Sequence, residues 1–131
     1  MVSAFLSVRK LAGAWEPGTL PSERKYRDSL IAFLGNRLSN ATIEKEYRHS
    51  GTTVDIYVKE SHLIGSPQVF VELKRNLLRK AELDRLVGQI ECLQPRRNNI
   101  IIVLCGQTNP TLVAHFEEQY NTKGFRIGGG A

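Results

Sequence analysis

Three observations in this chain of 131 residues predict an α/β fold with a mixed central β-sheet flanked by α-helices. Three β-rich runs follow one another at 41–51, 52–60 and from residue 69, so consecutive strands are expected to pair as a meander. A continuous apolar run, NNIIIVLCG at 98–106, comes after an amphipathic helix, as a strand buried on both faces and entered through a helical crossover would. Helix-period segments alternate with these strands in the order α, β, β, β, α, β, α, β.

Each element has a local cause. Residues 1–18 carry Phe5, Leu6, Val8, Leu11 and Trp15 ahead of the breaker Glu16-Pro17-Gly18, which predicts an irregular or short helical arm. Packing on the core, a dimer contact and a lid are all open roles for it. The segment 21–38 starts with Pro21 and Ser22 and places Tyr26, Leu30, Phe33, Leu34 and Leu38 at helical spacing. A Ser-Gly turn at 50–51 divides the first two strands into a hairpin, and VFVELK supplies the third strand after the turn-like SHLIGSPQ. From Lys80 to about Leu93, the apolar Leu83, Leu86, Val87 and Ile90 recur at helical spacing until Pro95 ends the helix. A further helix starts at Pro110, and a short strand is expected at Phe125–Ile127. The length fits one domain, with an arm at 1–20, a core at 21–127 and a frayed tail at 128–131.

Composition narrows the function classes. At 41% hydrophobic and 24% charged residues, the chain has the balance of a folded globular protein, not a disordered one. Its net charge of +5 favours anionic partners such as phosphate backbones, through counterion release. Cys92 and Cys105 form no CxxC pair, which points to a reducing, cytoplasmic setting. His49, His62 and His115 lack the spacing of a zinc site. The longest apolar run, IIIVLC, is far too short to span a bilayer, and MVSAFLSV lacks the basic region of a signal peptide. No GxxxxGK[ST] loop is present, so no nucleotide cofactor is expected.

Several polar residues fall where pattern alone would place apolar ones. Along VFVELKRNL, Val69, Val71 and Leu73 share one face of a strand, while Phe70, Glu72 and Lys74 share the other. Asp55 sits mid-strand with Val54, Ile56 and Val58 expected on the opposite face, and the meander can bring it beside Glu72. Two adjacent carboxylates repel, which raises one pKa or calls in a divalent cation. Glu23 stands at the N-terminal end of one apolar helix face, and Gln89 borders the packed face of another. Simpler readings stay open: Glu72 and Lys74 as a surface ion pair, Asp55 bridged to Arg48, Glu23 as a helix-dipole charge, Gln89 as a solvated side chain. Carboxylate oxygens without sulfur or histidine suit Mg²⁺ or Mn²⁺, and such an ion beside a lysine suits phosphodiester hydrolysis.

Glu23, Val54-Asp55, Glu72-Leu73-Lys74 and Gly88-Gln89, on an αβββαβ order across roughly residues 21–106, resemble the PD-(D/E)XK, or restriction-endonuclease-like, nuclease superfamily. The ELK followed by a helical GQ is similar to the RecB-type and mismatch-type NucS nuclease domains, and the small size to archaeal Holliday junction resolvases. Val54 stands where the named motif has proline, and Leu93 where RecB-type domains have tyrosine. The resemblance implies that Asp55, Glu72 and the backbone carbonyl of Leu73 hold the metal. It implies Lys74 as the catalytic lysine, with Glu23 and Gln89 as outer members of the site. It further implies Mg²⁺-dependent cutting of DNA, sometimes RNA, leaving a 5′-phosphate. Arg75, Arg79 and Lys80 just after the ELK strand, with Arg48 and His49 before the Asp55 strand, are expected to meet the nucleic-acid backbone. Cutting both strands at once takes two sites, so a homodimer is expected. The rival expectations are a degenerate nucleic-acid-binding module and an assembly subunit of the same fold.

Overall fold

The computed structural model describes residues 4–49, 51–60, 68–92, 100–120 and 125–127. In chain order these form α1 (Ala4–Ala14), α2 (Glu23–Gly35), β1 (Ala41–His49), β2 (Thr52–Glu60), β3 (Gln68–Arg75), α3 (Lys80–Cys92), β4 (Ile100–Cys105), α4 (Pro110–Tyr120) and β5 (Phe125–Ile127). The five strands make one mixed sheet in the order β1-β2-β3-β4-β5. β1, β2 and β3 pair antiparallel as the expected meander, while β4 and β5 join parallel through the helical crossovers α3 and α4. The Ser50 turn position, His62, Leu93, Pro95, Arg96, Arg97 and the 128–131 tail lie outside the described residues. Among the described residues, no helix is long and apolar enough to cross a membrane.

Strand alternation divides the core in two. Val69, Val71 and Leu73 of β3, with Ile101, Val103 and Cys105 of β4, pack under Tyr26, Leu30 and Leu34 of α2. Phe70, Ile100, Ile102 and Leu104 face the other way, against Leu83, Leu86 and Ile90 of α3 and Val113 and Phe116 of α4. All six residues of β4 are buried, which is why its sequence is a run of apolar side chains instead of an alternating pattern. The arm is a true helix that packs on the core. Val8, Ala12 and Trp15 are buried, and the Trp15 indole donates to Ser29 Oγ at 3.1 Å while its ring meets Tyr26 edge-on. Ser22 caps α2 by accepting the Lys25 N–H, so Glu23 becomes the first helical residue.

Two departures from regular geometry sit beside Asp55. Glu46 in β1 takes a left-handed φ of 53° between the pairs Lys45↔Ile56 and Tyr47↔Val54, opposite Asp55. It is held there by the buried Arg27 of α2, whose Nη1 donates to Glu46 Oε1 at 2.9 Å. Val54, expected to share a face with Ile56 and Val58, instead joins the α3 side of the core with Tyr57 and Phe70. The alternation of β2 therefore breaks at Asp55.

At the far end of the sheet, Asn76 follows β3 with φ 58° and Gly106 follows β4 with φ 72°. Asn76 Oδ1 accepts the Gln107 N–H at 2.9 Å, and a Cβ on Gly106 would collide with that same oxygen. Gly106→Ala is therefore expected to cost about 1–3 kcal/mol, read as a lower denaturation midpoint in urea at an unchanged slope.

Candidate active site

The β2–β3 ladder ends at Ile56↔Val71, one residue short of the Asp55 and Glu72 level, while β3 stays paired with β4 as far as Arg75↔Cys105. The two strands fork where the acids stand, and side chains replace the missing ladder. Asp55 Oδ2 accepts the Leu73 N–H at 2.8 Å, and Glu72 Oε1 accepts the Asp55 N–H at 3.2 Å. Each carboxylate thus bonds the backbone of the opposite strand, which brings the two acids face to face.

Glu72 is 3% exposed. Burial, a hydrogen bond from its own carboxyl to Asp55, and the Asp55 charge push its pKa up to about 10. Glu23 is also pushed upward, by burial first and by the Asp55 charge second, against the opposing pull of Lys74 and of the Arg75 N–H. Without a cation, the cluster relieves its repulsion by holding a proton on Glu72. Burial and the nearby acids push the Cys105 thiol to about 12, so it stays neutral and offers no nucleophile.

The fork opens into a cavity of about 210 Å³ lined by Glu23, Asp55, Glu72, Leu73, Lys74 and Gln89. All the residues proposed from sequence as catalytic or metal-holding therefore meet in one place. Glu23 arrives from the first turn of α2, Gln89 from α3, and the others from β2 and β3. Two lining residues were not anticipated. Glu82 and Arg85 stand on α3 three residues apart, on the helix face that also carries Gln89. Glu82 lies at the third position of α3, where an acidic residue can fold back on the helix start, but Arg79 stands where the full capping pattern has Ser or Thr, so only half of that signal was in the sequence. Arg85 left no comparable mark.

The Lys74 ammonium lies 3.6 Å from Glu82 Oε2, which makes Glu82 its ion-pair partner. Of the cations expected to meet nucleic acid, Arg75 lines a neighbouring cavity of about 270 Å³ beside Asn76 and Gly106 at the ends of β3 and β4. Arg48, Arg79 and Lys80 are exposed and do not line the acidic cavity. Lys80 pairs with Asp84 one helical turn on, at 3.1 Å. His49 ends β1 beside Thr52 of β2.

The donor set fits a small hard cation. Two facing carboxylates, that of Glu72 pushed upward by burial and by Asp55, present oxygen ligands without sulfur or imidazole. Among the described residues, no three His, Cys, Asp or Glu side chains form a closed metal cage. An ion held there would take one or two of these carboxylates and complete its shell with water and substrate oxygens.

Asp55 also has a structural duty that separates two of its variants. Asp55→Ala strands the buried Leu73 N–H and is expected to cost about 1–3 kcal/mol, whereas Asp55→Asn keeps an acceptor there and is expected to cost less than about 1 kcal/mol. Urea unfolding with chelator present checks the difference.

No protein-family model and no curated protein sequence matches the chain. Two solved structures are similar to it. One is a repair endonuclease from Pyrococcus abyssi, 14% identical at a TM-score of 0.47, matched over 84% of this chain and 48% of that one. The other is an EndoMS–dsDNA complex, 12% identical at a TM-score of 0.48, matched over 89% of this chain and 48% of that one. The chain spans about half the length of each. What the cavity can do rests on its own carboxylates.

Proposed function

We propose that this chain is a Mg²⁺- or Mn²⁺-dependent nuclease that hydrolyses DNA phosphodiester bonds. The observation that carries the reading is the interlocked pair of Asp55 and Glu72 at a strand fork, Glu72 buried and Asp55 partly exposed to the cavity, with Lys74 two residues along β3 and Glu23 on the same cavity wall. A fold gains little by burying one acid against another, and a cation site would give the pair a counter-charge.

Asp55 and Glu72 would hold the ion, with the Leu73 carbonyl and substrate oxygens completing its shell. The chemistry supplied by a bound ion is Lewis-acid polarisation of a phosphoryl oxygen and acidification of water. The Lys74 ammonium orients the attacking water and offsets the negative charge that builds on the phosphoryl oxygens. Glu23 and the Gln89 amide border the same cavity and help to hold water in line with the scissile bond. The new bond joins the water oxygen to phosphorus, and the bond to the sugar O3′ breaks, leaving a 5′-phosphate and a 3′-hydroxyl. Arg85 at the cavity and Arg75 beyond Lys74 give the neighbouring phosphates cationic partners without selecting a sequence. Paired cuts in a duplex would take two copies of the chain.

One observation favours the rival, a nucleic-acid-binding module that no longer cuts. Both acids already accept backbone N–H groups, and Lys74 already has Glu82. The test is a labelled panel of duplex, single-stranded, mismatched, flapped and four-way-junction DNA, incubated with Mg²⁺ or Mn²⁺ and with EDTA. Cutting that EDTA stops is the expected result, and the preferred substrate names the task. Binding without cutting in either metal would move the assignment to the degenerate module. Neither binding nor cutting would leave the acids as a structural pair.

A further inference from the structure

Glu82 uses its two carboxylate oxygens for different purposes. Oε1 accepts the backbone N–H of Arg79 at 3.2 Å and of Leu78 at 3.4 Å, closing donors that the start of α3 leaves open. Oε2 lies 3.6 Å from Lys74 Nζ. The two side chains retain only 19% and 26% exposure for Lys74 and Glu82 respectively, whereas the Lys80–Asp84 pair on the same helix retains 78% and 62%. The first pair is set into the cavity wall, and the second belongs to the surface. Although desolvation works the other way, the Leu78 and Arg79 N–H groups and the Lys74 charge hold the Glu82 carboxyl below the usual carboxylate range, so it is ionised at neutral pH.

A lysine side chain has four rotatable bonds, and holding it in one place costs conformational entropy. Lys74 stands near the end of β3, paired with Leu104 of β4 but past the end of the ladder to β2, so the strand fixes its backbone and leaves its long side chain to be ordered by what it touches. A carboxylate fixed to a helix start by two hydrogen bonds provides that guidance. We propose that Glu82 is the positioning residue of this site, tying the Lys74 ammonium to the rigid start of α3 so that it keeps one place beside the Asp55–Glu72 pair. Its effect on rate rests on the nuclease reading above, whereas its hold on Lys74 does not.

The informative variant is Glu82→Gln. Its amide oxygen still caps α3, but the charge facing Lys74 is gone. The expected result is a melting temperature within about 2 °C of the parent, with kcat lowered about tenfold and KM within about twofold. Glu82→Ala also loses the cap and is expected to melt about 4 °C lower. A readout independent of cleavage is the side-chain order parameter of Lys74 Cε, measured by NMR on lysine-labelled protein. It is expected to be high in the parent and to fall in Glu82→Gln.

Unchanged or faster cleavage by Glu82→Gln, or a Lys74 order parameter equal in both proteins, overturns the inference. If the parent cuts no DNA in either metal, the nuclease reading fails with the predicted rate effect, and the NMR comparison alone decides whether Glu82 orders Lys74.

Discussion

Replacing Glu72 with glutamine is expected to abolish metal-dependent cleavage, by about a thousandfold or more, while leaving a folded protein that is more stable than the parent without metal. The two effects share one cause. Glu72 Oε1 accepts the Asp55 N–H, and an amide oxygen can do the same. The amide NH₂ can donate to the Asp55 carboxylate, where the parent needs a proton that it must hold against an ordinary value of 4.5. The cost of holding that proton disappears and the hydrogen bonds stay. The expected gain is about 1–3 kcal/mol at pH 8 in EDTA, or roughly 3–10 °C in melting temperature for a chain of this size. An ordinary structural acid would behave in the opposite way, losing stability with its charge. Calorimetry in chelator and single-turnover cleavage on the same preparations measure both effects.

The second large effect is a pH dependence that a divalent cation should reverse. Glu72 has an ordinary value of 4.5 and a folded value of about 10, so between these limits the folded chain holds a proton that the unfolded chain has released. Its contribution to stability is complete below about pH 4.5 and is lost progressively as pH rises toward 10. In EDTA the parent is therefore expected to melt lower at pH 8.5 than at pH 6. Mg²⁺ takes the place of the proton, so 10 mM Mg²⁺ should raise the melting temperature at pH 8.5 and do little at pH 5. A millimolar site saturated tenfold would supply about 1.4 kcal/mol, roughly 5 °C here. Glu72→Gln should show neither the slope attributable to this group nor the Mg²⁺ response.

Much of the cavity was legible in the sequence because it depends on strand alternation. Glu72 and Lys74 two residues apart must share a face, and consecutive strands must bring Asp55 near them. Glu23 and Gln89 followed from helical spacing against known apolar neighbours. The rest arises where regular geometry stops. The left-handed Glu46, the misplaced Val54 and the fork between β2 and β3 come from side chains displacing backbone hydrogen bonds, an exchange that residue pattern does not encode. Arg27 shows the same limit. Nothing in its spacing singles it out, yet it is buried against Asp28 and Glu46 and bonds the left-handed residue opposite Asp55. The arm was open between core packing, a dimer contact and a lid because Val8, Leu11 and Trp15 suit any of these roles, and it is the burial of Val8 and Trp15 beside α2 that shows the packing on the core.

The central claim is that Asp55 and Glu72 form a cation site. Its most direct test is a Mn²⁺ titration followed by electron paramagnetic resonance at pH 8, comparing the parent with Glu72→Gln. The account predicts Mn²⁺ bound by the parent and competed by Mg²⁺, with that binding lost in Glu72→Gln. Equal Mn²⁺ uptake by both proteins, or none by either, would contradict it.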